Sequence, residues 1–311
     1  MSVTDAGGET RSYYGRPVLK QPVWQPEVAA YLFTGGLGGA SSVLSLVARR
    51  SGHELLAQRS IQIASAADAV SPPLLIADLG RPERFLNMLR VFKVTSPMSV
   101  GSWILAYSSA ASSVSAFLNT IGRLPRTAEL ARTASAVSGA PLAVYTATLI
   151  SDTAIPVWHE ARRELPFLFA SSAVATAGAA SAIAVPPPEA GPARRLAVGG
   201  VLAENVIFKL MEKRLGMLGE PYSKGESGKF KQVALACTMS GAALLAGPGR
   251  RSRLAAAAGG ALVLAGEAAV RWSVFKAGFQ SARDPKYTVE PQRERQSGRS
   301  RTQPGASEPS V

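Results

Sequence analysis

Val28-Ala-Ala-Tyr-Leu-Phe-Thr-Gly-Gly-Leu-Gly-Gly-Ala-Ser-Ser-Val-Leu-Ser-Leu-Val-Ala48 is a run of 21 residues without one charge, bounded by Glu27 and by Arg49-Arg50. A helix needs about 20 mostly apolar residues to cross the hydrocarbon core of a bilayer. The stretch reads as a membrane span, and the pattern repeats along the chain. Further candidates are Ser60–Ala77, Met98–Ile121, Thr133–Ser151, Leu165–Val185, Leu196–Phe208, Val233–Ala246 and Leu254–Val270. Leu196–Phe208 is short and is the weakest of them. The expected fold is all-α: a polytopic membrane bundle of about eight transmembrane helices, arranged as two four-helix bundles.

Composition agrees. Only 18% of the 311 residues are charged, against about a quarter in soluble domains. A charge at the bilayer centre costs roughly 2.5–3.5 kcal/mol on insertion scales, which keeps such residues between the spans. The formal net charge is +13. Its Lys and Arg flank apolar runs and do not form one basic domain. This fits retention at an anionic membrane face and argues against nucleic acid as a partner. Residues 1–26 form a polar segment with no apolar run of a signal peptide, 27–281 the membrane domain, and 282–311 a basic tail expected to be disordered. The side holding both termini carries 22 Lys and Arg, the other side 11, with Arg271 at the end of the last span. Positive-inside bias therefore places both termini in the cytoplasm of a cell with this protein in its inner membrane.

The spans are rich in Gly, Ala and Ser, the first most of all. Small residues let helices approach closely in lipid; clustered glycines could also make room for a flat ligand. Metal chemistry has little to work with. There is one cysteine, Cys237, and two histidines, His53 and His159, both expected in loops. A membrane haem of b type needs paired axial histidines on facing helices, and an iron–sulfur cluster needs several cysteines. The chain is expected to hold neither a haem nor a cluster of its own, and no metal.

Ionisable residues inside spans are costly and tend to serve proton or substrate paths. Asp68, Glu204 and Glu267 fall in this class and are candidates for a proton path, although Glu267 could instead pair with Arg271 four residues on. Glu27, Asp78 and Asp152 lie at span ends. Between the second and third spans stands Asp78-Leu-Gly-Arg-Pro-Glu-Arg-Phe-Leu-Asn-Met-Leu-Arg-Val-Phe-Lys93. Phe85, Leu86, Leu89 and Phe92 are spaced for one helical face, with Arg81, Arg84, Arg90 and Lys93 around it. The segment is either an interfacial helix on lipid headgroups or a docking surface for a partner subunit.

Two blocks of this region, Leu79-Gly-Arg-Pro-Glu-Arg-Phe-Leu-Asn-Met88 and Ser96-Pro-Met-Ser-Val-Gly101, resemble the NrfD-like family of polysulfide reductase membrane subunits. Glu27-Val-Ala-Ala-Tyr-Leu-Phe-Thr-Gly-Gly36, Pro156-Val-Trp158 and Leu165-Pro-Phe-Leu-Phe169 support the resemblance, which extends over roughly residues 13–280. It implies a haem-free subunit that binds a quinone, menaquinone or ubiquinone. Such a subunit passes electrons between the quinone and an iron–sulfur subunit of a molybdopterin or tungstopterin oxidoreductase, such as a formate dehydrogenase or polysulfide reductase, in a respiratory chain. By the same resemblance the quinone contacts fall on Glu27, at the start of the first span, and on Tyr145, which leads Tyr145-Thr-Ala-Thr-Leu-Ile-Ser151; Tyr31 is a further candidate contact, and quinone chemistry could use Asp152 or Asp68 as relay. A histidine that the family carries near the first span is missing; Trp24, Gln25 and Glu27 stand there. Two other functions remain open on the sequence: a proton or solute transporter using Asp68, Glu204 and Glu267, favoured by inverted repeats or broken helices, and a plain membrane anchor. Pro72-Pro73 could break the second span.

Overall fold

A computed structural model describes residues 19–291 of the chain. In chain order the α-helices are α1 (Pro26–Arg50), α2 (Glu54–Asp78), α3 (Arg84–Arg90), α4 (Pro97–Ile121), α5 (Pro125–Ser151), α6 (Pro156–Glu160), α7 (Leu165–Ala184), α8 (Gly191–Leu215), α9 (Glu220–Ser223), α10 (Gly225–Ala246) and α11 (Arg253–Arg283). Eight of these have 20 or more residues: α1, α2, α4, α5, α7, α8, α10 and α11. Five of the eight, α1, α2, α5, α7 and α11, are long and apolar enough to cross a membrane by length and composition alone. Helices α4, α8 and α10 match them in length and fall outside that set. The local causes are ordinary. Proline opens α1, α4, α5 and α6, where its missing N–H costs nothing. Ser252 caps α11 by accepting from the Ala255 N–H at 3.2 Å.

The sequence-expected spans sit inside these helices, which are longer, except that α7 ends at Ala184, one residue short of the expected Val185. The weakest candidate, Leu196–Phe208, becomes the 25-residue α8, because Gly191-Pro192 starts it early and Glu212-Lys213-Arg214 extends it past the apolar part. Helix α5 begins eight residues before the expected Thr133, which brings Arg132 inside. Of the segment expected to be a disordered tail, α11 covers the residues up to Arg283 and 286–291 are helical; 292–311, like the polar residues 1–18, lies outside the described residues. Pro72-Pro73 does not break α2. Pro72 has no N–H for the Asp68 carbonyl one turn back, and the Ser109 hydroxyl of α4 donates to that carbonyl instead, at 3.2 Å.

Helices α1, α2, α4 and α5 pack as one antiparallel bundle, and α7, α8, α10 and α11 as a second, with α7 and α11 against α1 between them. Backbones approach closely where side chains are smallest. A Cβ on Gly39 of α1 would lie 2.4 Å from the Gly139 carbonyl oxygen of α5, and Gly241 of α10 meets Gly259 of α11 in the same way. Hydroxyls tie the helices together: Ser42 to Ser135 at 2.7 Å, Ser60 of α2 to Ser181 of α7 at 3.0 Å. Short connections make the long helices alternate in direction. The starts of α1, α4, α7 and α10 and the ends of α2, α5, α8 and α11 therefore lie at one face, here the terminal face, together with α3 and α6. Trp158 of α6 is fully buried there, stacks on Trp24 at 5.6 Å and donates its indole N–H to the Val274 carbonyl at 2.7 Å.

Candidate functional site

Near the terminal face the first bundle carries a tyrosine pair. Tyr31 lies five residues into α1 and Tyr145 six residues before the end of α5, each about 7–9 Å below the helix end at 1.5 Å per residue. Both belong to one cluster with Leu74, Leu75, Ile104, Leu105 and Leu142. Tyr31 is 1% exposed and its hydroxyl has no hydrogen-bond partner among the described residues; the neighbouring Thr146 hydroxyl is also unpartnered. Tyr145 is half-buried. Its ring lies flat over Gly101 of α4, so that a Cβ there would stand 1.8 Å from the ring carbon Cζ. The exposed side of Tyr145 lines a crevice of about 410 Å³ between α4 and α5, walled by Val94, Thr95, Pro97, Val100 and Val144.

Asp68 sits ten residues before the end of α2, about 15 Å below the face, and is fully buried. Its Oδ2 accepts from Ser108 at 3.1 Å and Ser112 at 2.8 Å, both on α4. Its Oδ1 has no partner among the described residues and rests against Gly38, where a Cβ would be only 2.1 Å away. The Asp68 charge is near enough to act on Tyr31, as Tyr145 is. Ser71 and Thr34, bonded at 2.8 Å, lie between α2 and α1 in the same layer.

The residues at span ends divide. Glu27 has one buried, unpartnered carboxylate oxygen and stands near Asp78, whose Oδ1 accepts the Gln25 N–H at 2.8 Å. Asp152 is an exposed residue at the end of α5, and its carboxyl forms no hydrogen bond among the described residues. His53 precedes α2 at the opposite face and His159 lies on α6 at the terminal face, on a helix where a loop was expected.

Glu204 of α8 and Glu267 of α11 come together in the second bundle, both buried. Their carboxyls act on each other, with the Arg271 guanidinium close to both. Glu267 and Arg271 do not form the expected i,i+4 ion pair. Glu267 accepts from Ser172 of α7 at 2.5 Å, while Arg271 donates to the Phe169 carbonyl at 3.1 Å and lies 3.7 Å above the Phe169 ring. The reason is reach into the bundle: α7, packed against α11, offers both groups a partner. One oxygen of each carboxyl and two guanidinium nitrogens remain unpartnered. A crevice of about 190 Å³ leads from Glu204 toward Glu212 and Lys231 at the terminal face.

The 79–96 connection also lies at that face. Helix α3 is short and buries none of its residues; Leu86 is 72% and Phe92 60% exposed, and Phe92 meets Trp103 edge-on at 6.3 Å. Arg81, Arg84, Arg90 and Lys93 are exposed and form no ion pair among the described residues. Sequence reading missed Gly101, Thr146, Ser108, Ser112 and Ser172. A signal existed for Gly101, which ends the Ser96–Gly101 block, and for Ser108 and Ser112, which recur at i,i+4 on α4. Nothing local marks Thr146 or Ser172.

The family model described as polysulphide reductase, NrfD, matches residues 17–187. This is shorter than the extent of the resemblance and takes in the first bundle, α3, α6 and α7, including both tyrosines, Asp68 and the α3 connection. No curated protein matches the chain. Covering more than half of the sequence, the match shows that this multi-pass membrane protein belongs to the polysulphide reductase NrfD family, whose members are membrane subunits of redox complexes.

Proposed function

We propose that the chain binds a quinone or quinol in the Tyr145 crevice. It would exchange electrons there with an iron–sulfur subunit docked on α3, itself joined to a molybdopterin or tungstopterin catalytic subunit. One observation carries this reading: the crevice against Tyr145 is walled by Val94, Thr95 and Pro97, which belong to the same connection as α3 and follow its end at Arg90 within seven residues. A headgroup held there lies under the place where a partner's cluster arrives. The fit is chemical as well. The crevice volume falls within the roughly 300–1,000 Å³ of ligand pockets, and its lining is apolar with a few polar groups.

Quinone reduction takes two electrons and two protons, which the bound quinone accepts at its carbonyl oxygens. The protein's share is to hold and to deliver. The Tyr145 phenol donates to one carbonyl. The unpartnered Tyr31 and Thr146 hydroxyls supply polar contacts deeper in the bundle, and Glu27 stands nearest the aqueous face. Asp68, buried behind Tyr31, is a proton reservoir for the site. Glu204 and Glu267 extend the proton path into the second bundle: with one proton held between the two carboxyls and Arg271 charged, the group is neutral, which a buried cluster favours. Asp152, which is exposed, is left with no direct contact. The basic surface of Arg81, Arg84, Arg90 and Lys93 offers the docking partner complementary charge. The bias of Lys and Arg supports this face, and the termini, lying on the cytoplasmic side of an inner membrane.

The test is purification of the intact complex, with quinone extraction and turnover of a menaquinone or ubiquinone analogue. Tyr145→Phe and Tyr31→Phe should each lower turnover, and Arg84→Glu with Arg90→Glu should release the iron–sulfur subunit while the membrane domain stays folded. A complex that neither contains nor turns over quinone removes the proposal.

A further inference from the structure

Helices α8 and α10 touch at mid-height, where the Asn205 amide lies 4.0 Å from the Met239 sulfur, and open apart toward both ends. Toward the terminal face the gap is the Glu204 crevice, whose rim charges are matched: Lys231 pairs with Glu212. Toward the opposite face the gap is larger, about 550 Å³, and its charges are all of one sign.

Its rim is built by Arg194 and Arg195, in the first turns of α8, and by Arg250, in the turn after α10. Arg250 and Arg195 both stand close enough to act on Arg194 as like charges. Among the described residues no carboxylate lies within 4.0 Å of any of them. Arg194 is held in place by donating to the Pro187 carbonyl at 2.5 Å; Arg195 and Arg250 are exposed. Below the rim the wall turns apolar, along Val198, Gly199 and Leu202. A Cβ on Gly199 would meet nothing within 4 Å, so a channel is left open there. Leu202 lies about 12 Å below Arg194 at 1.5 Å per residue, and its side faces outward, where lipid would be.

Three cations without a counter-ion at a membrane interface attract an anion, and guanidinium forks suit phosphate oxygens. The apolar channel running inward from them suits a hydrocarbon chain. We infer that the α8–α10 groove binds an anionic glycerophospholipid, its phosphate on Arg194, Arg195 and Arg250 and one acyl chain along Gly199 and Leu202. This site lies on the second bundle and at the other face from the Tyr145 crevice, and it does not depend on quinone binding.

The experiment uses the full-length protein purified in detergent, with lipid retention read by native mass spectrometry and thermal unfolding read with added lipid. Phosphatidylglycerol should be retained at least tenfold over phosphatidylcholine and should raise the unfolding temperature. The double substitution Arg195→Gln/Arg250→Gln should abolish the preference, and Gly199→Leu, which fills the channel without touching a charge, should weaken retention with the rim intact. Equal retention of the two lipids, or an unchanged preference in the double variant, overturns the inference. If inorganic phosphate gives the same thermal shift and Gly199→Leu has no effect, the groove is a simple anion site and the lipid assignment fails.

Discussion

Replacing Gly101 by Ala tests the link between helix packing and the tyrosine crevice. The added methyl carbon would lie 1.8 Å from Tyr145 Cζ, 2.1 Å from the phenol oxygen and 2.2 Å from Cε1. Non-bonded carbons rest at about 3.5–4.0 Å, so the ring must withdraw by about 2 Å. Overpacking of this kind costs about 1–3 kcal/mol of stability. The functional effect is larger. A misplacement of about 1 Å in a reacting geometry can cost on the order of 10²-fold, so Gly101→Ala should lower kcat/KM for a quinol analogue by at least about 10²-fold, or about 2.7 kcal/mol. The assay is quinol turnover by the intact complex, with Gly80→Ala as control, since a Cβ at Gly80 meets nothing within 4 Å. Gly101→Ala combined with Tyr145→Ala should regain stability and not turnover. Unchanged kcat/KM in Gly101→Ala would show that the position of Tyr145 is irrelevant to the reaction.

Other outcomes follow from the packing and the charges. Arg271→Met leaves two buried carboxyls without their cation and should cost about 3–5 kcal/mol in a detergent unfolding assay; adding Glu267→Gln should recover part of it, and additive losses would count against the cluster. Gly139→Val drives a side chain toward the Gly39 carbonyl, 2.6 Å from the Cβ position, and should separate α1 from α5, read as a fall in unfolding temperature. At the terminal face, Lys224 and then Lys286 hold Glu220 down to about 2 from 4.5, with Tyr287 also donating to it at 3.2 Å. A carboxyl lowered on folding stabilises above its unfolded value and loses that effect as pH falls. Hydrogen exchange near Tyr287 should therefore rise between about pH 4.5 and pH 2, and Glu220→Gln should remove the pH dependence.

Much of the architecture was legible because lipid imposes a strict rule: a chain crossing it must stay helical and nearly uncharged for about 20 residues. Eight long helices were visible in eight apolar stretches, even though α8 keeps only a short apolar centre. Helix ends were less legible. Polar residues such as Arg132 and Glu212 can prolong a helix when a neighbouring helix or the aqueous face receives them, and local hydropathy does not record that neighbour. The same gap explains Glu267 and Arg271: four residues apart on one helix they look like partners, and only α7 draws them to Ser172 and Phe169.

By itself the sequence pointed to the all-α class and to the places of the eight long helices, which rest on composition and local order, and to the family through the Leu79–Met88 and Ser96–Gly101 blocks. It also pointed to Tyr31, Tyr145 and Asp68 as separate candidates. Only the tertiary structure decided that Tyr31 and Tyr145 share one cluster with Asp68 deeper in the same bundle, that Gly101 seats Tyr145, and that Glu204 meets Glu267. These facts depend on which faces of distant helices touch. In a bundle whose surfaces are nearly all Ala, Gly and Ser, that choice is made by shape and by a few buried polar contacts, which no local stretch of sequence contains.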